Sequence, residues 1–175
     1  MSQDTVILDQ AGITRALTRI AHEILEKNKG TNDLVLVGIR TGGVWVAEHL
    51  HTRLAINEPL GLLDISFYRD DFSQIGVNPN VKPSQLPPQI EGRNIILIDD
   101  VFYTGRTIRA ALNEIFDYGR PNQVVLAVLI ERDGRQIPLC PDCVGASITL
   151  NAGQRIKLTG PEPLAIHLQT LDAAA

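Results

Sequence analysis

Three short runs of this chain are almost wholly apolar: LVLVGI at 34–39, NIILID at 94–99 and QVVLAVLI at 123–130. A strand with no alternation of polar and apolar residues has both faces covered, as in parallel sheets sandwiched between helices. The segments around these runs carry helical spacing. Over residues 11–28, Ile13, Ala16, Leu17, Ile20, Ala21, Ile24 and Leu25 fall on one stripe, and Gly30 stands where a C-terminal cap would end the helix. A second helix is predicted from just after residues 40–43 to about Leu54, and a third from Thr107 to Asp117. GLLDISFY at 61–68 alternates loosely and reads as a further strand. The fold expected is α/β: a parallel sheet of about five strands flanked by helices on both faces. The tail after residue 140 (ASITL, RIKLTG, LAIHLQ) alternates weakly and predicts short strands in a small hood. A length of 175 residues suits a single domain over 1–175.

Ligands of such sheets bind at the carboxyl ends of the strands. Two unusual loops leave those ends, Arg40-Thr41-Gly42-Gly43 and the stretch from Asp99 to Thr107, so both belong to one edge. In the second, a buried strand ends in Asp99 and Asp100, and Thr104-Gly105-Arg106-Thr107 stands where a helix begins. Backbone N–H groups at a helix N-terminus, two hydroxyls, one positive charge and a flexible glycine can wrap a phosphate. The two carboxylates would repel that phosphate. They suit sugar hydroxyls, which are donors, or a nearby Mg2+, which takes oxygen ligands. A diol beside a phosphate describes a ribose 5-phosphate. The spacing is neither the GxxxxGK[ST] nor the GxGxxG pattern. Residues 69–92, with Pro79, Pro83, Pro87, Pro88 and no period, form a long loop leaving the same edge, either a mobile cover or a surface excursion.

Charge and composition exclude several classes. Sixteen basic against twenty acidic residues, net −4, argue against a generic nucleic-acid coat while leaving room for a local basic face. No apolar run is long enough to span a bilayer, and MSQDTVILDQ lacks the pattern of a signal peptide, so no membrane partner is expected. Two cysteines make no disulfide framework, and the cytosol is the expected compartment. Cys140-Pro-Asp-Cys143 is a C-x-x-C without the second pair that a structural zinc needs, and no protein-held metal site is predicted. His22, His49, His51 and His167 form no constellation.

The stretch ILIDDVFYTGRT, 96–107, resembles the 5-phosphoribosyl-1-pyrophosphate (PRPP) motif of the type I phosphoribosyltransferases. The resemblance implies that Asp99 and Asp100 bind the ribose hydroxyls and that Tyr103, Thr104, Gly105, Arg106 and Thr107 hold the 5-phosphate, with Mg2+ accompanying PRPP. VGIRTGG at 37–43 resembles the family's pyrophosphate loop, which assigns Arg40, Thr41, Gly42 and Gly43 to the leaving group. Arg69, at the root of the long loop, would swing onto pyrophosphate, so Arg40, Arg69, Asp99 and Asp100 form the expected catalytic set.

RALTRIAHE, NKGTNDLVLVGI, LDISFYRDD, YGRP and LAVLIERDGRQIP extend the resemblance over about residues 6–150. They are similar to the branch of the family that makes UMP from uracil and PRPP and regulates pyrimidine (pyr) genes through a leader RNA. That branch implies a uracil pocket in 131–138, drawing on Arg132, Arg135 and Ile137, and homo-oligomers of two or more chains. Thr18, Arg19, His22 and Arg135 match its RNA-binding pattern, and the first three are expected to point to solvent. Tyr103 stands where purine-salvage relatives carry an Asp, which disfavours a purine. A purine phosphoribosyltransferase, and a UMP-sensing attenuator with little enzymatic role, are the alternatives. Two departures remove positive charge: Thr41-Gly42-Gly43 replaces Thr-Arg-Gly, and Cys140 and Ala146 stand where RNA-binding members tend to be basic. Any RNA binding is therefore expected to be weak.

Overall fold

The computed structural model describes residues 3–66 and 84–171. Five strands, β2 (Leu34–Ile39), β3 (Gly61–Leu63), β4 (Asn94–Phe102), β5 (Gln123–Arg132) and β6 (Cys143–Ile148), form one sheet in the order β3-β2-β4-β5-β6, every pair parallel. Side chains alternate between two apolar layers. Leu34, Leu36, Ile96 and Ile98 pack under α1 (Gln10–Asn28) and α2 (Gly42–Leu54). Val35, Val37, Ile95 and Leu97 pack under the third helix, α3 (Arg106–Tyr118). This two-sided burial is why the strands read as continuous apolar runs.

The apolar stripe predicted for α1 is its buried face, with Ile13, Leu17, Ile20 and Ile24 fully enclosed. Asp9 caps its start, accepting the Gly12 N–H at 2.9 Å. Its end departs from expectation. Lys29, not Gly30, takes the left-handed cap at φ 56°, and the N–H of Gly30 reaches back to the Leu25 carbonyl at 3.0 Å.

Three other expectations change. Of the strand read over 61–68, only Gly61–Leu63 is strand among the described residues, which stop at Ser66; the chain turns at Asp64, whose carboxylate accepts from the Ser66 N–H and hydroxyl. The strand carrying the paired acids does not stop at them, because β4 keeps pairing with β5 as far as Phe102 opposite Glu131. The first strand of the tail, β6, joins the main sheet through pairs such as Ile130 with Ala146 and does not enter the hood.

The hood is a three-stranded antiparallel sheet in the order β1-β8-β7, built from β1 (Gln3–Leu8), β7 (Gln154–Thr159) and β8 (Ala165–Thr170). Its Leu158, Leu164 and Ile166 sink into the same apolar layer as α1 and α2. The hood thus sits firmly on one side of the sheet's carboxyl edge. Among the described residues no helix is long and apolar enough to cross a membrane.

Candidate active site

A cleft of about 760 Å³ opens at the carboxyl edge of the sheet. Its walls hold Arg40, Asp99, Asp100, the run Tyr103 to Thr107, and Arg132, so three separate segments converge there. Asp99 is only 6% exposed. Each acid has one oxygen pinned by the backbone: Asp99 Oδ1 accepts the Asp100 N–H and Asp100 Oδ1 accepts the Val101 N–H, both at 2.9 Å. This fixes the orientation of both carboxylates.

The two glycines of the β2–α2 turn bring that helix onto β4. A β carbon at Gly43 would lie 2.8 Å from the Ile98 carbonyl oxygen, and one at Gly42 would overlap the Asp100 carboxylate. The N-terminus of α2 therefore adjoins the acids with no side chain between. The Arg40–Thr41 peptide is cis, and Thr41 makes no side-chain cap bond to the helix it precedes. The Arg40 N–H donates to the Leu63 carbonyl at 2.9 Å, which continues the β2–β3 ladder into the loop. Its Nε is buried with no hydrogen-bond partner among the described residues, and so is Nε of Arg132. Leaving a buried charged donor unpaired costs at least about 1–3 kcal/mol, so both guanidiniums suit an acceptor-rich ligand.

On the other wall, Gly105 precedes α3 in the left-handed region, at φ 92°, and offers no side-chain cap. The helix starts at Arg106, one residue before the predicted Thr107. Arg106, Thr107 and Ile108 of its first turn line the cleft, and the free N–H groups and positive dipole end of a helix N-terminus suit an anion.

Residues 132–137 pack on the 103–107 loop. The Arg132 guanidinium lies 3.8 Å from the centre of the Tyr103 ring. The Gln136 N–H donates to the Thr104 carbonyl at 2.9 Å, and Arg106 Nε donates to Gln136 Oε1 at 3.1 Å. Ile137 packs beside Gly105, its Cβ 3.5 Å from where a glycine substituent would stand. Arg135 is not brought into the cleft wall: it is exposed, with its guanidinium on the Cys140 sulfur. Arg69 lies outside the described residues, as does the predicted loop as far as Pro83.

Thr18, Arg19 and His22 are exposed on α1, away from the cleft. The expectation that all three reach only toward solvent needs correcting for Arg19. Its Nη2 donates to the carbonyls of Val144 and Gly145, so the guanidinium covers the open edge of β6.

The sequence reading missed Asp64, Ser66 and Ile156, which also line the cleft. Asp64 carried the same signal as Asp99, an acid where an apolar strand ends. Ile156 arrives from the hood and had no local signal. The C-x-x-C splits between environments: Cys140 is exposed, while Cys143 is buried against α1 and its thiol is pushed up to about 12 by burial first and Glu23 second. Among the described residues no cluster of three metal-ligating side chains occurs.

Comparison with known proteins is consistent with this geometry. The phosphoribosyl transferase domain family matches residues 4–151. The chain is 52% identical over 166 residues to the Bifunctional protein PyrR of Pseudomonas syringae pv. syringae, covering 95% of this chain and 97% of the relative. It is 55% identical over 143 residues to the protein of the same name from Nitrosococcus oceani, covering 81% of each. Among solved structures, the hypoxanthine phosphoribosyltransferase of Trypanosoma cruzi superposes with a TM-score of 0.63 at 21% identity, covering 86% of this chain and 84% of that one. A likeness at that identity speaks for the fold alone.

Proposed function

The chain belongs to the phosphoribosyl transferase family, and from that premise we propose that it transfers ribose 5-phosphate from PRPP to uracil, giving UMP and pyrophosphate. The observation that carries this reading is that Asp99, Asp100, the 103–107 loop and Arg40 line one and the same cleft. Acceptors for a diol, a helix N-terminus for a phosphate and a half-buried cation for a second anion are the groups that PRPP needs, and they share this cleft.

Departure of pyrophosphate from C1 leaves developing positive charge on the sugar. The protein's work is then positioning and electrostatics. Arg40 and the backbone N–H groups of Thr41, Gly42 and Gly43 receive the leaving group. Asp99 and Asp100 hold the ribose hydroxyls, and Thr104 to Thr107 hold the 5-phosphate. Arg69 belongs to the same proposal as a second cation for pyrophosphate. Mg2+ would accompany PRPP and offset its charge, and the carboxylates of Asp99 and Asp100 suit the neighbourhood of such a hard cation.

The base lies, in this reading, between Arg132 and Ile137, where backbone N–H and C=O groups can meet the alternating edge of uracil. Tyr103 occupies the place of a purine-reading acid, which favours the pyrimidine. The name of the relatives, a bifunctional protein, supports a second role for the same fold, regulation through a pyrimidine leader RNA met by Thr18, Arg19 and His22, with Arg135. Assembly into dimers or larger oligomers belongs to this reading too.

Pyrophosphate release with PRPP, Mg2+ and each of uracil, hypoxanthine, guanine and orotate tests the proposal. Uracil is expected to turn over fastest. Faster turnover of hypoxanthine or guanine would reject it.

A further inference from the structure

The 5-phosphate loop and the base loop belong to different segments, yet they are joined at three independent points. The first is the stack of Arg132 on Tyr103, at 3.8 Å. A cation held against an aromatic face is attracted by the ring's quadrupole. The second is Gly134. Its φ of +116° lies in a region that disfavours other residues, and a β carbon there would run into the Tyr103 ring. Glycine is thus demanded by conformation and by contact at one position. The third is Gln136, which touches the phosphate loop twice. Its N–H donates to the Thr104 carbonyl, and its Oε1 accepts from Arg106 Nε at 3.1 Å.

We propose that these joints make the two loops one coupled unit, with Gly134 and Gln136 as its positioning residues, so that a phosphate bound by residues 104–107 tightens the grip of residues 132–137 on the base. The inference rests on the phosphoribosyl transfer reading and adds to it a rule for how the site reads its ligands. A phosphate at the α3 N-terminus draws in the N–H groups of the loop and the Arg106 side chain. Arg106 in turn holds Gln136, and the Thr104 carbonyl holds the Gln136 backbone. The first ligand therefore fixes the contacts that hold both loops together, and the second binds to a site already set. Linkage makes the effect reciprocal, so the base raises affinity for the sugar phosphate by the same factor. A nucleotide, which carries both groups, is recognised far better than either part.

The test is calorimetric titration of the full chain with uracil, with and without saturating ribose 5-phosphate, and the reverse titration. In the wild type the phosphate sugar is expected to raise uracil affinity about tenfold, within the usual 5–150-fold range of such couplings, with the same factor in reverse. Gln136→Ala, on an exposed side chain, is expected to cut that factor below about threefold while the melting temperature holds. Gly134→Ala should act in the same direction. A merely structural role would weaken both ligands together and leave the ratio unchanged. If both variants keep the wild-type factor, or if the wild type binds both ligands with no coupling, the inference falls and the reading of the site stands. If neither ligand binds the wild type, both fall.

Discussion

Gly42 touches Asp100: a β carbon added at position 42 would land on the carboxylate that faces the cleft. The first turn of α2 and the second acid of β4 are therefore in register with nothing to separate them. Gly42→Ala should displace Asp100 by a fraction of an ångström to an ångström. Misplacement on that scale costs up to ~100-fold in rate. We expect kcat/KM for PRPP to fall by about that factor, while denaturant unfolding shows a loss of no more than about 1 kcal/mol, since alanine favours the helix. Unchanged kinetics would show that the contact is incidental.

Asp99→Asn combined with Asp100→Asn should abolish detectable PRPP turnover in a chain that still folds. Each lost hydrogen bond to a charged group is worth about 1.5–3 kcal/mol, so the pair amounts to several decades. The check is a steady-state assay beside circular dichroism. Near-normal turnover in the double variant would remove both acids from the site.

Glu114 is a carboxylate only 5% exposed on α3, with Oε2 lacking a hydrogen-bond partner among the described residues. Burial raises its pKa above the ordinary 4.5, opposed by a hydrogen bond from Ser84 and reinforced by Asp64 and Asp117. The folded chain holds the proton more tightly than the unfolded one, so this group opposes folding increasingly as pH rises from the unfolded value to the folded one. Glu114→Gln should therefore stabilise the protein by about 1 kcal/mol at neutral pH, with the gain vanishing near pH 4. Urea unfolding at pH 4 and pH 7.5 measures it. Equal gains at both values would refute the cause.

The two cysteines should behave differently. Exposed Cys140 should react with a thiol reagent in the native chain, whereas Cys143, buried and held protonated with its pKa near 12, should react only after denaturation. Cys140→Ser with Cys143→Ser should leave activity within a few-fold, at a cost of about 1–2 kcal/mol in stability from the buried site. Two fast-reacting thiols per native chain, or co-purifying stoichiometric zinc, would contradict this.

RNA binding should be weak. The resemblance drawn from the sequence expects basic residues where Cys140 and Ala146 stand, and neither supplies a positive charge; Arg19 is partly engaged with the β6 edge. Losing about two phosphate contacts should flatten the salt dependence by roughly 1.4 in log–log slope on single strands. An anisotropy titration with a pyrimidine leader RNA at two salt concentrations, with and without UMP, tests this. His22→Ala should change only RNA affinity, whereas Arg19→Ala should also loosen the fold. Nanomolar, UMP-dependent binding that collapses on Arg135→Ala would overturn the expectation.

By itself, the sequence determined the features built from neighbours along the chain. The apolar runs at 34–39, 94–99 and 123–130 announce buried parallel strands, because both faces of each are covered by helices. Asp99, Asp100 and residues 103–107 form one strand–loop–helix, so their relation is local and readable. What needed the tertiary structure were pairings across long separations. Whether Cys143–Ile148 joins the hood or the main sheet is decided by which edge has unpaired backbone groups, and β5 offered one. The hood also needed β1, from the other end of the chain, to pair with β8. Arg19 could be read as a solvent-facing cation until β6 placed its carbonyls beside it. Gly134 looked like an ordinary turn glycine until the Tyr103 ring was seen to fill the space a side chain would take. In each case the local pattern left several partners open, and close packing of distant segments chose among them.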